Sequence, residues 1–194
     1  MPYIPLEEHL PGITGLLEYR KDTAEPIREL TQQLLRGASS LTEGERELIA
    51  TIVSHDNECQ FCSTAHAAVV DEFYPQCEMS RQVRTDPQTA PVSDKMKALL
   101  ELARLVARGG KHVSEGAIKT ARKAGATDLE IHDTVLIAAL FCFYNRYVDG
   151  LNTQLPDTQE YFSGLASRLA TRGYVRIPEA YKQLKEQHTL KKKS

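Results

Sequence analysis

The sequence predicts an all-α fold, and three observations carry that reading. Apolar residues recur at helical spacing along most of the chain, and no segment alternates apolar and polar long enough to make a half-buried strand. Two Thr-x-x-Glu pairs, Thr42 with Glu45 and Thr127 with Glu130, stand directly before apolar runs. The 194 residues suffice for one packed helical domain over 1–194, with a core at about 20–170 and a C-terminal tail at about 188–194. A capping box ahead of an apolar helix occurs in both parts of the chain, a pattern of two similar helical halves.

Taken in order, an irregular start punctuated by Pro2, Pro5 and Pro11 leads to Thr23, the expected cap of a helix with Pro26 in its first turn. Ile27, Leu30 and Leu34 repeat along its expected inward face, and Gly37 stops it. Thr42 begins the next helix, with Leu48, Ile49, Ile52 and Val53 inward; Asp56-Asn57 breaks it. A further helix carries Cys59 through Phe73 and ends before Pro75. The polar stretch 76–91 reads as a short helix with a loop. Ser93 caps a helix with Met96, Leu99, Ala103 and Val106 inward, ended by Gly109-Gly110. Ser114 starts a short helix through Ala124, stopped by Gly125, and Thr127 introduces a buried helix containing the run Val135 to Phe143. After Pro156, one or two surface helices finish the chain.

Composition narrows the function classes. With 24 basic and 26 acidic side chains the formal charge is -2, so nothing electrostatic points to nucleic acid. The run Lys191 to Lys193 reads as a solvated tail. No apolar stretch approaches the roughly 20 residues of a membrane span, and 1–10 lacks a secretory pattern; no membrane association and a cytoplasmic location are expected. In reducing surroundings the four cysteines are a redox site, a metal site or core residues rather than a disulfide framework.

The chemistry concentrates in Glu47 and in Cys59-Gln60-Phe61-Cys62-Ser63-Thr64-Ala65-His66. At about 100° per residue, positions 59, 62 and 66 fall within about 60° of one another, so both thiols and the imidazole share one helix face. A helix N-terminus favours thiolate, the form that attacks peroxide, and a neighbouring thiol traps the resulting sulfenic acid as a disulfide. His66 and Glu47 can manage the protons, provided the two helices pack antiparallel across Asp56-Asn57. Helix geometry permits either sulfur to react first. Other readings use the same residues: a zinc site of Cys59, Cys62 and His66 with His55, within a non-enzymatic helical assembly protein; inert buried thiols; or a dithiol–disulfide exchanger with little peroxide turnover. A thioredoxin-like site would need a preceding strand, and none is visible. Cys77 and Cys142 have no partner at redox spacing and read as inert. Arg146, beside an apolar run, is expected to be buried against Asp149 or another carboxylate, with Asn145 next to it, locking helices or shaping the thiol pocket.

Glu47, eleven residues, Cys59-x-x-Cys62, three residues and His66 resemble the signature of alkyl hydroperoxidase D-like proteins of the carboxymuconolactone decarboxylase superfamily. The segment 41–50 resembles its helix leading to the cysteines, and Phe143-x-Asn145-Arg146-x-x-Asp149 is similar to the Asn-Arg segment of its peroxidase-related branch. The resemblance covers most of 1–165. It implies an all-α domain of the alkyl hydroperoxidase D-like type that forms homo-oligomers and reduces hydroperoxides without metal or organic cofactor. An external thiol or dithiol would recharge it, in an antioxidant role. Cys62 would meet the peroxide, Cys59 would resolve the sulfenic acid, and Glu47 with His66 would form the proton relay. The decarboxylases of the superfamily lack the cysteine pair, which disfavours decarboxylation here. Phe61 replaces the histidine that the well-known peroxidases carry between their cysteines, so one proton carrier is missing.

Overall fold

The computed structural model describes residues 1–156 and 158–191. Among them, ten α-helices follow one another: α1 Ile13–Tyr19, α2 Lys21–Arg36, α3 Glu43–Asp56, α4 Gln60–Phe73, α5 Met79–Thr85, α6 Asp94–Arg108, α7 Glu115–Lys123, α8 Asp128–Gly150, α9 Gln159–Arg172 and α10 Pro178–Lys191. A short 3-10 turn, Gly110–His112, links α6 and α7, and no strand is present among the described residues. The fold is all-α. Lys192, Lys193 and Ser194 of the expected tail lie outside the described residues.

α3 is the central element, buried at every position from 46 to 54. It packs against α4, α6 and α8, whose inward residues complete the main core with Leu99, Leu100, Ile137 and Phe141. Both capping boxes form: Thr42 accepts from the Glu45 N–H, Thr127 from that of Glu130, and each glutamate returns a bond to its capping residue's N–H. Ser93 and Ser114 likewise cap α6 and α7. Arg46 is buried and donates to the carbonyls of Leu34 (3.0 Å) and Gly37 (2.9 Å), so a cation closes the C-terminal end of α2.

α3 and α4 pack antiparallel. The turn between them is a Schellman motif: Cys59 N–H bonds to Ser54 O (3.1 Å) and Glu58 N–H to His55 O (2.9 Å), with Glu58 left-handed at φ 58. At the far end the ring of Tyr74 lies over Gly44, where a Cβ would come within 2.7 Å of it. Glycine at 44 therefore sets how closely the hairpin closes, and this closeness brings Glu47 to His66.

The first two helices differ from expectation. α1 occupies part of the segment expected to be irregular; its N-cap, Gly12, offers no side-chain bond. α2 starts at Lys21, and Thr23 caps nothing, donating instead to Arg20 O (3.2 Å). Pro26 thus falls in the second turn and leaves α2 one backbone donor short. The fully buried residues are Ala24, Thr31 and Leu35; Ile27 and Leu34 of the expected face are half-buried against the core, and the helix is rotated enough to leave Leu30 41% exposed. Contact with α1 and α8, rather than hydrophobicity alone, decides this rotation. Leu16 and Leu17 of α1 are buried, as is most of Tyr174 beyond α9. α9 lies along α4, after which Gly173, at φ 68, turns the chain back so that Tyr174 N–H bonds to Gln32 Oε1 (2.7 Å).

Candidate active site

Cys59 is the N-cap of α4 and Cys62 lies in its first turn; both are free thiols, 0% and 3% exposed. The two lie close enough for the Cys59 thiol to act on the protonation of Cys62. From α8, Asn145 lowers and Asp149 raises the Cys62 thiol, and Asp149, raised by burial, is in turn pulled down by the Cys59 thiol. Asn145 is itself fixed, its Nδ2 donating to Ser54 Oγ (3.1 Å) and its Oδ1 accepting from Asn57 Nδ2 (2.8 Å). The residues that end α3 therefore also hold the amide of Asn145 in place.

The neighbouring Cys59 thiol, then burial, then the charges of Cys59 and Asp149 push the Cys62 thiol well above its ordinary range, against the influence of Asn145. This corrects the expectation that the start of the helix would lower it.

Behind the thiols lies a buried network. Glu47 is 0% exposed and accepts from Arg36 Nη2 (2.6 Å) and the Tyr174 hydroxyl (2.6 Å) at Oε1, while Oε2 meets His66 Nδ1 at 2.7 Å. Burial raises the Glu47 carboxyl, but the bond and charge of His66, Arg36 and Tyr174 outweigh it and hold the group below its ordinary value. An ionised Glu47 can only accept, so Nδ1 of His66 donates to it and Nε2 is the nitrogen left to take a proton. The imidazole is held on both sides, stacked on Tyr174 (6.1 Å, 10°) and met edge-on by Phe141 (4.5 Å, 86°). Arg36 is wedged between the rings of Phe73 (5.4 Å) and Tyr174 (5.0 Å) and also donates to Leu169 O.

Cys62 and His66, one helical turn apart, line the same cavity of about 70 Å³. Its walls are mainly apolar, from Leu17, Phe61, Phe141, Leu165 and Leu169, and neither Cys59 nor Glu47 lines it. Phe61 packs on Phe162 (5.7 Å) and over Gly12, whose φ of 59 and lack of Cβ leave room for the ring. The aromatic between the cysteines thus anchors the first turn of α4 to the N-terminal segment.

The structure brings Glu47, Cys59, Cys62 and His66 together. It separates Arg146 from the expected carboxylate: Arg146 is exposed and donates to Cys142 O (3.0 Å), because its place on α8 faces outward while Asn145 faces the thiols. Sequence reasoning missed Arg36 and Tyr174. Arg36 carried only a weak signal as the last residue of α2, and Tyr174, 127 residues from Glu47, carried none. Among the described residues no three His, Cys, Asp or Glu side chains form a metal-binding group, and His66 Nδ1 is committed to Glu47. No described helix is long and apolar enough to cross a membrane.

Known proteins share this architecture. The family model "Carboxymuconolactone decarboxylase family" matches residues 83–153, from α5 to the end of α8. An uncharacterised peroxidase-related protein with an alkylhydroperoxidase AhpD core from Ralstonia eutropha is 26% identical over 80% of each chain, with TM-score 0.71. An uncharacterised peroxidase-related protein from Silicibacter is 22% identical over 79% of each chain, TM-score 0.71. A protein of unknown function from Agrobacterium tumefaciens is 19% identical over 81% of this chain and 100% of that one, TM-score 0.63. No curated protein matches the sequence. The fold, the family model over residues 83–153 and the Ralstonia eutropha structure make the chain similar to alkyl hydroperoxidase D-like proteins of the carboxymuconolactone decarboxylase superfamily.

Proposed function

We propose that the chain is a thiol-dependent peroxidase that reduces small organic hydroperoxides in an antioxidant role. The observation that carries this reading is the buried Cys59 and Cys62 at the start of α4, with Cys62 and His66 facing one cavity. Cys62 attacks the terminal oxygen of the hydroperoxide, the O–O bond breaks, and the products are a Cys62 sulfenic acid and an alcohol. His66 Nε2 takes the thiol proton and returns it to the departing alkoxide. Glu47 orients the ring and balances its charge without touching the sulfurs, as the carboxylate of a serine-protease triad does. Cys59 then displaces hydroxide from the sulfenic sulfur, giving a disulfide and water, and an external thiol or dithiol restores both thiols.

Burial favours this reading over disulfide exchange with proteins, because a bulky disulfide partner cannot reach sulfurs only 0% and 3% exposed. The test is hydroperoxide consumption in the presence of a small dithiol. The wild-type protein is expected to turn over, and Cys62→Ser to lose turnover; full activity in that variant rejects the proposal. Homo-oligomerisation belongs to the same reading. It is supported by Leu129 (61% exposed) and Phe143 (43%) on α8, and light scattering showing only monomer would reject it.

A further inference from the structure

The charge on the cavity wall is one-sided. Arg28 and Arg168 both line the cavity, and no Asp or Glu does. Arg28 shares its carboxylate: Glu18 accepts from Arg28 Nη2 (3.0 Å) and also from Arg176 Nη2 (2.7 Å). Arg28 Nη1 donates to the Tyr181 hydroxyl (2.8 Å), and its Nε is buried with no partner. Arg168 has no carboxylate partner among the described residues. Glu18 balances Arg28 and Glu47 balances His66, so the half-buried Arg168 is left as the cation beside these largely apolar walls that an anion can pair with.

The positions say which part of a ligand belongs where. Arg168, with Thr14, Leu165 and Tyr181, also lines an outer groove of about 1110 Å³, so these residues form the boundary between groove and cavity. Cys62 and His66 line the inner cavity only. We infer that the site selects short-chain hydroperoxides that carry a carboxylate, with the peroxide at Cys62 and the carboxylate at Arg168. This rests on the peroxidase reading for its substrate but not for its anion site. Arg168 is a specificity-determining residue here and takes no part in breaking the O–O bond.

The test separates the two. Reduced full-length protein is alkylated with iodoacetate and, in parallel, with iodoacetamide, and the rate at Cys62 is read by mass mapping. The ratio of anionic to neutral rates is expected to be about three- to ten-fold higher in the folded protein than in the urea-unfolded chain. Arg168→Gln is expected to lower that ratio toward the unfolded value, and Arg168→Lys to retain it. An equal ratio in folded and unfolded protein, or a ratio unmoved by Arg168→Gln, overturns the inference. Turnover of a short carboxylated hydroperoxide is then compared with that of its methyl ester. A lower KM for the acid, lost in Arg168→Gln, supports the inference, and equal KM values for acid and ester overturn it. If neither compound is consumed while the alkylation ratio stays high, the anion site stands and the peroxidase reading fails.

Discussion

At the scale of single residues, the surroundings of Cys62 favour its protonated thiol. Cys62 is raised above its ordinary range first by Cys59 and then by burial, so its reactivity with iodoacetamide is expected to keep rising with pH beyond 9.0, the ordinary thiol value. Removing the largest cause, in Cys59→Ala, is expected to move the Cys62 profile to lower pH; an unchanged profile contradicts the coupling. Glu47 acts through His66, and replacing it leaves Arg36 buried without its countercharge. Glu47→Gln is expected to destabilise the fold by roughly 3–5 kcal/mol, the usual cost of breaking a buried pair. In whatever fraction remains folded, kcat/KM should fall by about 100-fold or more, as expected on loss of a general base. Urea melts and steady-state rates check both, and a stable, fully active variant contradicts the network. Cys59, Cys62 and His66 were legible because they share one helix and its period. Glu47 was legible only through its spacing to them. Arg36 and Tyr174 join the network from the end of α2 and from beyond α9, and no local pattern links those places.

At the scale of elements, side-chain chemistry at the helix ends was the most readable information in the chain. Both capping boxes and the serines at 93 and 114 form as their residue types dictate, since each satisfies a backbone donor that the helix leaves unpaired. Thr23 shows where the same logic stops: a capping residue type caps only if the chain leaves the helix there, and α2 continues back to Lys21. Thr42→Ala is expected to cost about 1 kcal/mol. Thr23→Ala should stay within about 0.5 kcal/mol, as for an ordinary surface change. Equal losses in urea denaturation would overturn the assignment. α1 was not legible because seven residues just after Pro11 carry too short a period, and its start has no side-chain cap. The outward direction of Arg146 was missed for a related reason. α8 is apolar around most of its circumference, so sequence alone does not fix which side faces the core.

At the scale of the whole molecule, carboxylates hold the helices together at several points. Glu47 joins α3 to α2 and α4. Glu130, at the start of α8, binds Lys95 (2.7 Å) and Ser40 (2.9 Å) and is lowered to about 2, its burial outweighed by these bonds and that of the Thr127 N–H. Glu18, drawn down by Arg176 and Arg28 against its burial, ties α1 to the chain before α10. Groups lowered in this way stabilise the fold fully above their unfolded value of 4.5 and lose that contribution as pH falls through their folded values. Asp149, raised by partial desolvation, opposes the trend. The urea midpoint is therefore expected to fall as pH drops from 4.5 toward 2, and less steeply in Glu130→Gln; an identical slope in the variant contradicts this assignment. The two halves of the chain share a capping box and then part company. α3 ends after 14 residues at the turn that makes the dithiol, whereas α8 runs on for 23 and delivers Asn145 and Asp149 to it.

One measurement bears most directly on the dithiol. Reduced protein is treated with one equivalent of a small hydroperoxide and its four cysteines are mapped by mass. A Cys59–Cys62 disulfide is expected in the wild type, and a trapped sulfenic acid on Cys62 in Cys59→Ser. Oxidation confined to Cys77 or Cys142, with the pair still reduced, would contradict the peroxidase reading.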